Sequence, residues 1–402
     1  MRHSLAGRAE SPMQARILAG LRDEGPLSKA QLADRLQVSR TTIAVEVARL
    51  VELGLAQEAG PAASRGGRRS TMVDLASDIR FVGVAIGATG ISVGLTDGRL
   101  GLLTVRERPC DIRKGPEVVL ASALEEVRAV LAEAGVERPI GAGIAVPGPV
   151  DFHRGVPVSP PIMPGWDGYP VRDALSRELG CPVVLDNDVN ALAVGEQHAG
   201  VARAAKDFLY VKIGTGIGCG IVIGGELYRG VDGCAGDIGH IRVEDGGPTC
   251  ACGNTGCLEA FASGAALGRD ATALARSGRS AVLATMLKER DGTELTAADV
   301  AAAVAQGDPH AVQLMRDSGR RVGQVLASLV SFFNPGLIVI GGRVTGLGHA
   351  LLAEVRAVTY RSSLPLATGS LPIVLSELGD EGGVIGAARL ISGSVYAADE
   401  RS

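Results

Sequence analysis

The stretch FVGVAIGATGISVGLTDGRL, residues 81–100, returns 127 positions later as FLYVKIGTGIGCGIVIGGEL, residues 208–227. With Phe81 set on Phe208, the pairs Val84/Val211, Ile86/Ile213, Gly87/Gly214, Gly98/Gly225 and Leu100/Leu227 coincide without a gap. Each copy is two apolar, β-branched runs, and Asp97-Gly98 reads as a hairpin turn. One strand-turn-strand unit used twice predicts two similar α/β lobes facing a cleft. Fifty-six glycines fit an α/β chain with many tight turns rather than a helical bundle.

The second copy carries GTGIGCG, residues 214–220, in its turn. Gly214 and Gly216 let backbone N–H groups approach phosphate oxygens, and Thr215 adds a hydroxyl. Gly341-Gly342, in LIVIGGRV (337–344), places bare backbone at a strand end where a nucleotide could lie. VVLDNDVNALA (183–193) ends a strand in Asp186-Asn187-Asp188 and then opens a helix. A carboxylate there, beside an amide, suits binding and deprotonation of a sugar hydroxyl; helix capping is the plainer reading of the same residues.

CACGNTGCLEA, residues 250–260, follows His240 by ten positions. Cys250, Cys252, Cys257 and His240 make a Cys₃His set, which suits tetrahedral zinc with no open position, so the metal is structural. Gly253 and Gly256 permit the tight loop. A disulfide is the alternative. No apolar secretory core opens the chain, and no stretch of eighteen apolar residues occurs, which predicts a cytoplasmic protein with no membrane span and reduced thiols. Cys110, Cys181, Cys219 and Cys234 read as inert. The zinc loop should hold Asp237 and Glu259 stiffly enough to read sugar hydroxyls.

Residues 1–80 hold twelve basic and nine acidic side chains, whereas the acidic remainder holds 28 and 35. Three short helices are expected in this basic piece. Ser11-Pro12 opens the first, and Ser28 with Gln31 forms a capping box on the second. Ser39 caps a third, whose inner stripe reads Ile43, Val47, Leu50 and Val51. Only Gln37 and Val38 separate the second helix from that cap, a helix-turn-helix spacing. Arg40, Thr41 and Thr42, with Val45 one turn on, then face base edges, Arg49 sits better for phosphate, and the cap Ser39 counts with them among the DNA-binding residues. SRGGRRS (64–70) reads as a basic wing carrying Arg65, Arg68 and Arg69. A helical dimerisation module is the alternative.

GHIRVEDGGPTCACGNTGCLEA resembles the zinc signature of the ROK family (repressors, open reading frames, kinases). GIAVPGPVD, MPGW, DNDVN, GTGIGCG and FFNPGLIVIGG follow in the family's order. The resemblance implies a winged helix-turn-helix domain and linker at 1–78, and an actin-like sugar-kinase fold of two α/β lobes at 79–402. It implies Asp188 as a catalytic base, vestigial or active, and Asn187, Asp237, His240 and Glu259 as further sugar contacts. The position of Asp237 is usually Glu in the family's kinases. Those kinases carry D-x-G-G-T in the first phosphate loop, where this chain has Ala85-Ile86-Gly87-Ala88-Thr89. Gly87 and Thr89 persist; Ala85 cannot help hold magnesium, and the Ala88 methyl crowds phosphates.

The expected function is a sugar-responsive transcriptional regulator, a repressor in the first instance. Its partners would be double-stranded operator DNA, a small sugar or sugar phosphate, and further copies of itself as a homodimer or homotetramer. The alternative is a sugar kinase with a DNA-binding head, which alone would need ATP and Mg²⁺.

Overall fold

A computed structural model describes residues 9–61 and 71–397. Arg65, Arg68 and Arg69 lie outside the described residues. Ser11 caps α1 (Pro12–Glu24) by accepting the Gln14 N–H at 3.1 Å. β1 (Leu27–Ser28) leads into α2 (Lys29–Leu36), where Ser28 and Gln31 cap each other reciprocally. Gln37, in the left-handed region, ends α2; Ser39 then opens α3 (Arg40–Glu52), accepting the Thr42 N–H at 3.0 Å. Ile43, Val47 and Leu50 are buried with Ile17, Leu18, Leu21 and Leu32. Val51, expected on that stripe, is 42% exposed. It directly follows Leu50, and one residue turns the helix by about 100°, off the buried face. β2 (Ala56–Pro61) and β3 (Thr71–Leu75) complete a sheet in the order β1-β3-β2, which makes the module a winged helix-turn-helix.

β4 (Phe81–Ile86), β5 (Gly90–Thr96) and β6 (Leu102–Pro109) form an antiparallel meander. The β4–β5 turn is the glycine loop at 87–89; Asp97-Gly98 turns β5 into β6. After α4 (Pro116–Glu133), β7 (Gly141–Val146) joins β4 in parallel. A short pair, β8 (Val150–Asp151) and β9 (Val156–Pro157), precedes α5 (Val171–Leu179). β10 (Val183–Asn187) then pairs β7 in parallel and gives the order β10-β7-β4-β5-β6.

Beyond α6 (Asp188–Ala199) the plan is repeated. β11 (Phe208–Ile213), β12 (Ile217–Ile223) and β13 (Glu226–Tyr228) form a second meander. Five helices follow: α7 (Leu258–Ala262), α8 (Gly264–Arg276), α9 (Ala281–Glu289), α10 (Ala297–Ala305) and α11 (Pro309–Phe333). β14 (Leu337–Gly341) is parallel to β11. After α12 (Gly348–Ser362) and α13 (Pro365–Thr368), β15 (Ile373–Leu375) is parallel to β14. The order β13-β12-β11-β14-β15 copies the first sheet, so the repeat in the sequence is the seed of each. α14 (Glu381–Tyr396) ends the described chain.

Contacts gather the chain into two compact units. The first comprises Met1–Val158, Gly165–Ala191 and Gly383–Ser402; the second comprises Ser159–Pro164 and Leu192–Gly382. The boundary expected at residue 78 falls inside the first unit, which holds the winged module together with the first sheet. α14 lies so close to that sheet that a Cβ at Gly83 or Gly143 would strike the carbonyls of Val384 and Ala387. Only glycine allows that approach. The far end of α14 meets the winged module. Buried Arg22 of α1 donates to Ser392 Oγ at 3.4 Å and lies 5.9 Å from the centre of the Tyr396 ring. Tyr396 donates its hydroxyl to Gly98 O at 3.1 Å and meets Phe81 edge-on.

The second unit buries Leu209, Val211 and Ile213 of β11 and Ile338 and Ile340 of β14 against Leu267, Met315, Val322 and Leu326. No helix among the described residues is long and apolar enough to cross a membrane.

Candidate ligand site and metal centre

The segment before the cysteines lies along β12. Cys219 donates its N–H to Gly236 O at 2.8 Å, and a single 3-10 turn, Ile238–His240, presents the histidine. The chain then folds back as a narrow ribbon. Val243 N–H bonds Gly256 O at 2.8 Å, and Leu258 N–H bonds Ile241 O at 2.9 Å. Gly253 and Gly256 both take positive φ, as the tight loop requires.

The ribbon gathers His240, Cys250, Cys252 and Cys257, whose ligand atoms all lie within 4.8 Å of one another. Cys250 Sγ is 3.5 Å from His240 Nδ1, and Cys252 Sγ is 3.8 Å from Cys257 Sγ. Tetrahedral zinc would put such sulfur and nitrogen ligands about 3.5–3.8 Å apart, so the donor set fits the ion. All seven cysteines are free thiols, Cys234 exposed and Cys110, Cys181 and Cys219 buried. Burial pushes the Cys250 thiol up to about 12. His240 turns Nε2 toward Asp237 Oδ1, 3.8 Å away. Partial burial raises the Asp237 carboxyl above the usual range, and His240 pulls it the other way.

Glu259, two residues past the last cysteine, reaches the glycine turn. Its Oε2 accepts the Ile217 N–H at 2.9 Å and fills the space a side chain at Gly216 would need. Tyr210, fully buried, likewise occupies the space beside Gly341. Close side-chain packing therefore demands two of the glycines that read as a nucleotide signature. Gly342 takes a positive φ of 92°.

Arg321 of α11 grips the ribbon from outside. It donates to Glu244 Oε1 at 3.0 and 2.7 Å, and its guanidinium stands 4.6 Å from the Phe261 ring centre. No local sequence pattern announces this clamp, because Arg321 and Glu244 are 77 residues apart.

In the first unit, Asn187 ends β10. Its Oδ1 accepts the Val189 N–H at 2.8 Å, and its Nδ2 donates to Gly148 O at 2.7 Å. Capping thus engages much of the amide. Asp186, buried, accepts the Asn187 N–H and the Asn190 amide, both at 2.8 Å, and stiffens the turn. Asp188 is the first residue of α6 and is 8% exposed. In the first glycine loop Gly87 N–H bonds Gly90 O at 2.8 Å, and the Ala88 and Thr89 carbonyls accept the Ile112 and Cys110 N–H groups, both at 3.1 Å. Ala85 is half-buried in β4.

On α3, Ser39, Arg40, Thr41 and Thr42 are exposed, and Val45 is 64% exposed. Arg49 is held by Glu10 at 2.9 Å and Glu52 at 3.0 Å, so a DNA phosphate would compete with both.

A winged helix-turn-helix followed by two α/β units of one sheet plan, the second carrying a Cys₃His loop, is the architecture of a DNA-binding head on a sugar-kinase-like body. The ROK family model matches residues 81–394, and the MarR family model matches residues 11–70. The chain belongs to the ROK family. It is 30% identical over 95% of its length, and 95% of the relative's, to a putative xylose repressor of Caldicellulosiruptor. It is 32% identical to the glucokinase of Thermotoga maritima, over 78% of this chain and 97% of that one. The crystal structure of a ROK family transcriptional regulator, a homologue of the E. coli MLC protein, superposes with a TM-score of 0.81 at 26% identity, covering 95% of this chain and 96% of that one.

Proposed function

We infer that this chain is a sugar-responsive transcriptional repressor that reads double-stranded DNA with α3 and binds a small sugar in its kinase-like body. The observation that carries the reading is the end-to-end match to a putative xylose repressor, winged module included, where the glucokinase matches only the body. Ala85 supports it, since a methyl gives magnesium no ligand. The proposed sugar partners are Asn187, Asp188, Asp237, His240 and Glu259. His240, Cys250, Cys252 and Cys257 would hold a structural zinc, which supplies no open coordination site for chemistry.

Two copies would present two recognition helices to half-sites about one helical turn apart. Sugar alters operator affinity only by binding one conformation better than the other; a tenfold effect takes about 1.4 kcal/mol of preference. A gel-shift on the protein's own upstream DNA, with and without sugars that raise its melting temperature, tests the reading. Retardation that responds to sugar is expected; failure to retard any upstream fragment refutes it.

Asp188, the first residue of α6, favours a second reading, a sugar kinase with a DNA-binding head. Turnover near 1 s⁻¹ or faster with ATP and magnesium, ordinary for an enzyme, would establish it.

A further inference from the structure

Val45 is 64% exposed in the middle of α3. Among the described residues of the winged module only Val51, also on α3, is another large apolar side chain so open to solvent. Thr41, Val45 and Ala48 recur at helical spacing, which sets them in one row on the side of α3 opposite the buried Ile43, Val47 and Leu50. All three members of the row are exposed. The exposed residues of α2, by contrast, are Gln31, Asp34 and Arg35, the polar face that a solvated helix ordinarily shows.

The polar groups of α3 that could compete for base edges are drawn elsewhere. Glu46 Oε2 accepts the Gln14 amide at 2.9 Å and the Ser11 hydroxyl at 3.3 Å, which pulls that carboxylate back onto α1. The Ser39 and Thr42 hydroxyls bond each other at 2.8 Å. Arg49 is shared by Glu10 and Glu52. That leaves Arg40, Thr41, Val45 and Ala48 to meet a groove. Residues 40–49, RTTIAVEVAR, contain no Asn, Gln or Lys. Adenine is read by the paired donor and acceptor of an Asn or Gln amide, whereas thymine alone presents a methyl group in the major groove. A row of methyl-bearing side chains matches that methyl, and their contact removes apolar surface on both partners from water. Arg40, at the start of the helix, offers the paired donors that suit guanine.

Building on the repressor reading, we propose that Val45 is a specificity-determining residue: flanked by Thr41 and Ala48, it receives a thymine methyl in each half-site, so the operator is selected by methyl contacts more than by hydrogen bonds to adenine. The test is a gel-shift with the full chain on the retarded fragment of its own upstream DNA, remade with uracil in place of each thymine in turn. Uracil removes the methyl and leaves base pairing intact. At least one replacement in each half-site should weaken binding by about three- to tenfold, the scale of one buried methyl group. Val45→Ala should weaken binding to the thymine operator by a similar factor, lose the uracil penalty at one of those positions, and melt at the parent temperature; Val45→Ile should keep the penalty. Retardation that ignores every uracil replacement, or a penalty undiminished at every position in Val45→Ala, overturns the proposal and leaves the repressor reading standing. Failure of every upstream fragment to be retarded refutes both.

Discussion

Glu259 accepts the Ile217 N–H at 2.9 Å, while its other oxygen stands 3.9 Å from Cys250 Sγ. One carboxylate thus ties the glycine turn to the cysteine ribbon, and a disturbance of either is felt at the other. The neutral isostere Glu259→Gln should weaken sugar binding by about tenfold to a hundredfold, the range for a hydrogen bond to a charged group. Zinc content should stay at one per chain. Calorimetry with unchanged sugar affinity would remove Glu259 from the site.

Cys252→Ser takes one thiolate from the Cys₃His set. Elemental analysis should find one zinc per chain in the parent and a substoichiometric amount in the variant, with sugar response lost as well. A chelator should reproduce the effect in the parent. Full sugar response without zinc would disprove that the ribbon positions the binding groups.

Arg321→Ala removes two hydrogen bonds to Glu244 and the stacking on Phe261, while leaving every proposed zinc ligand in place. Zinc should leave faster to a chelator, by about tenfold by analogy with other residues that orient metal ligands. Release at the parent rate would mean that the ribbon holds its shape unaided.

Arg40→Ala should cost about 1–3 kcal/mol of operator affinity if Arg40 reads a base, without lowering the melting temperature. Arg49→Ala should cost less, because Glu10 and Glu52 already hold that guanidinium. Equal losses for the two variants in a gel-shift would misplace the recognition surface.

Glu196 on α6 is fully buried and accepts the Ser376 hydroxyl and the Val201 N–H. Burial raises its carboxyl above the usual range, against those two hydrogen bonds. A carboxyl raised on folding contributes stability below its unfolded pKa and loses it as pH climbs through the folded value. Glu196→Gln never ionises, so its melting temperature should improve relative to the parent as pH rises from the ordinary Glu range, about pH 4, toward neutrality. A difference that stays flat across that range would contradict the raised carboxyl.

Much of this architecture is legible locally. A cap joins a side chain to a backbone group three residues on, so Ser11, Ser28 with Gln31, and Ser39 announce their helices without any knowledge of the rest of the chain. The doubled strand-turn-strand seed predicts two like sheets because period and turn chemistry are short-range properties. Val51 shows the limit: apolar character alone placed it on the inner stripe, yet helix geometry turns it outward.

The sequence by itself determined the helix caps, the duplicated seed and the Cys₃His set of four side chains, since each depends on residue type and spacing within a short segment. Only the tertiary structure decided that capping engages the Asn187 amide, that Glu10 holds Arg49, that Tyr396 and Arg22 seat the winged module against the first sheet, and that glycines of β12 and β14 flank Lys212. Those relationships join groups brought together by sheet register and helix packing, and spacing along the chain carries no record of which distant partner will arrive.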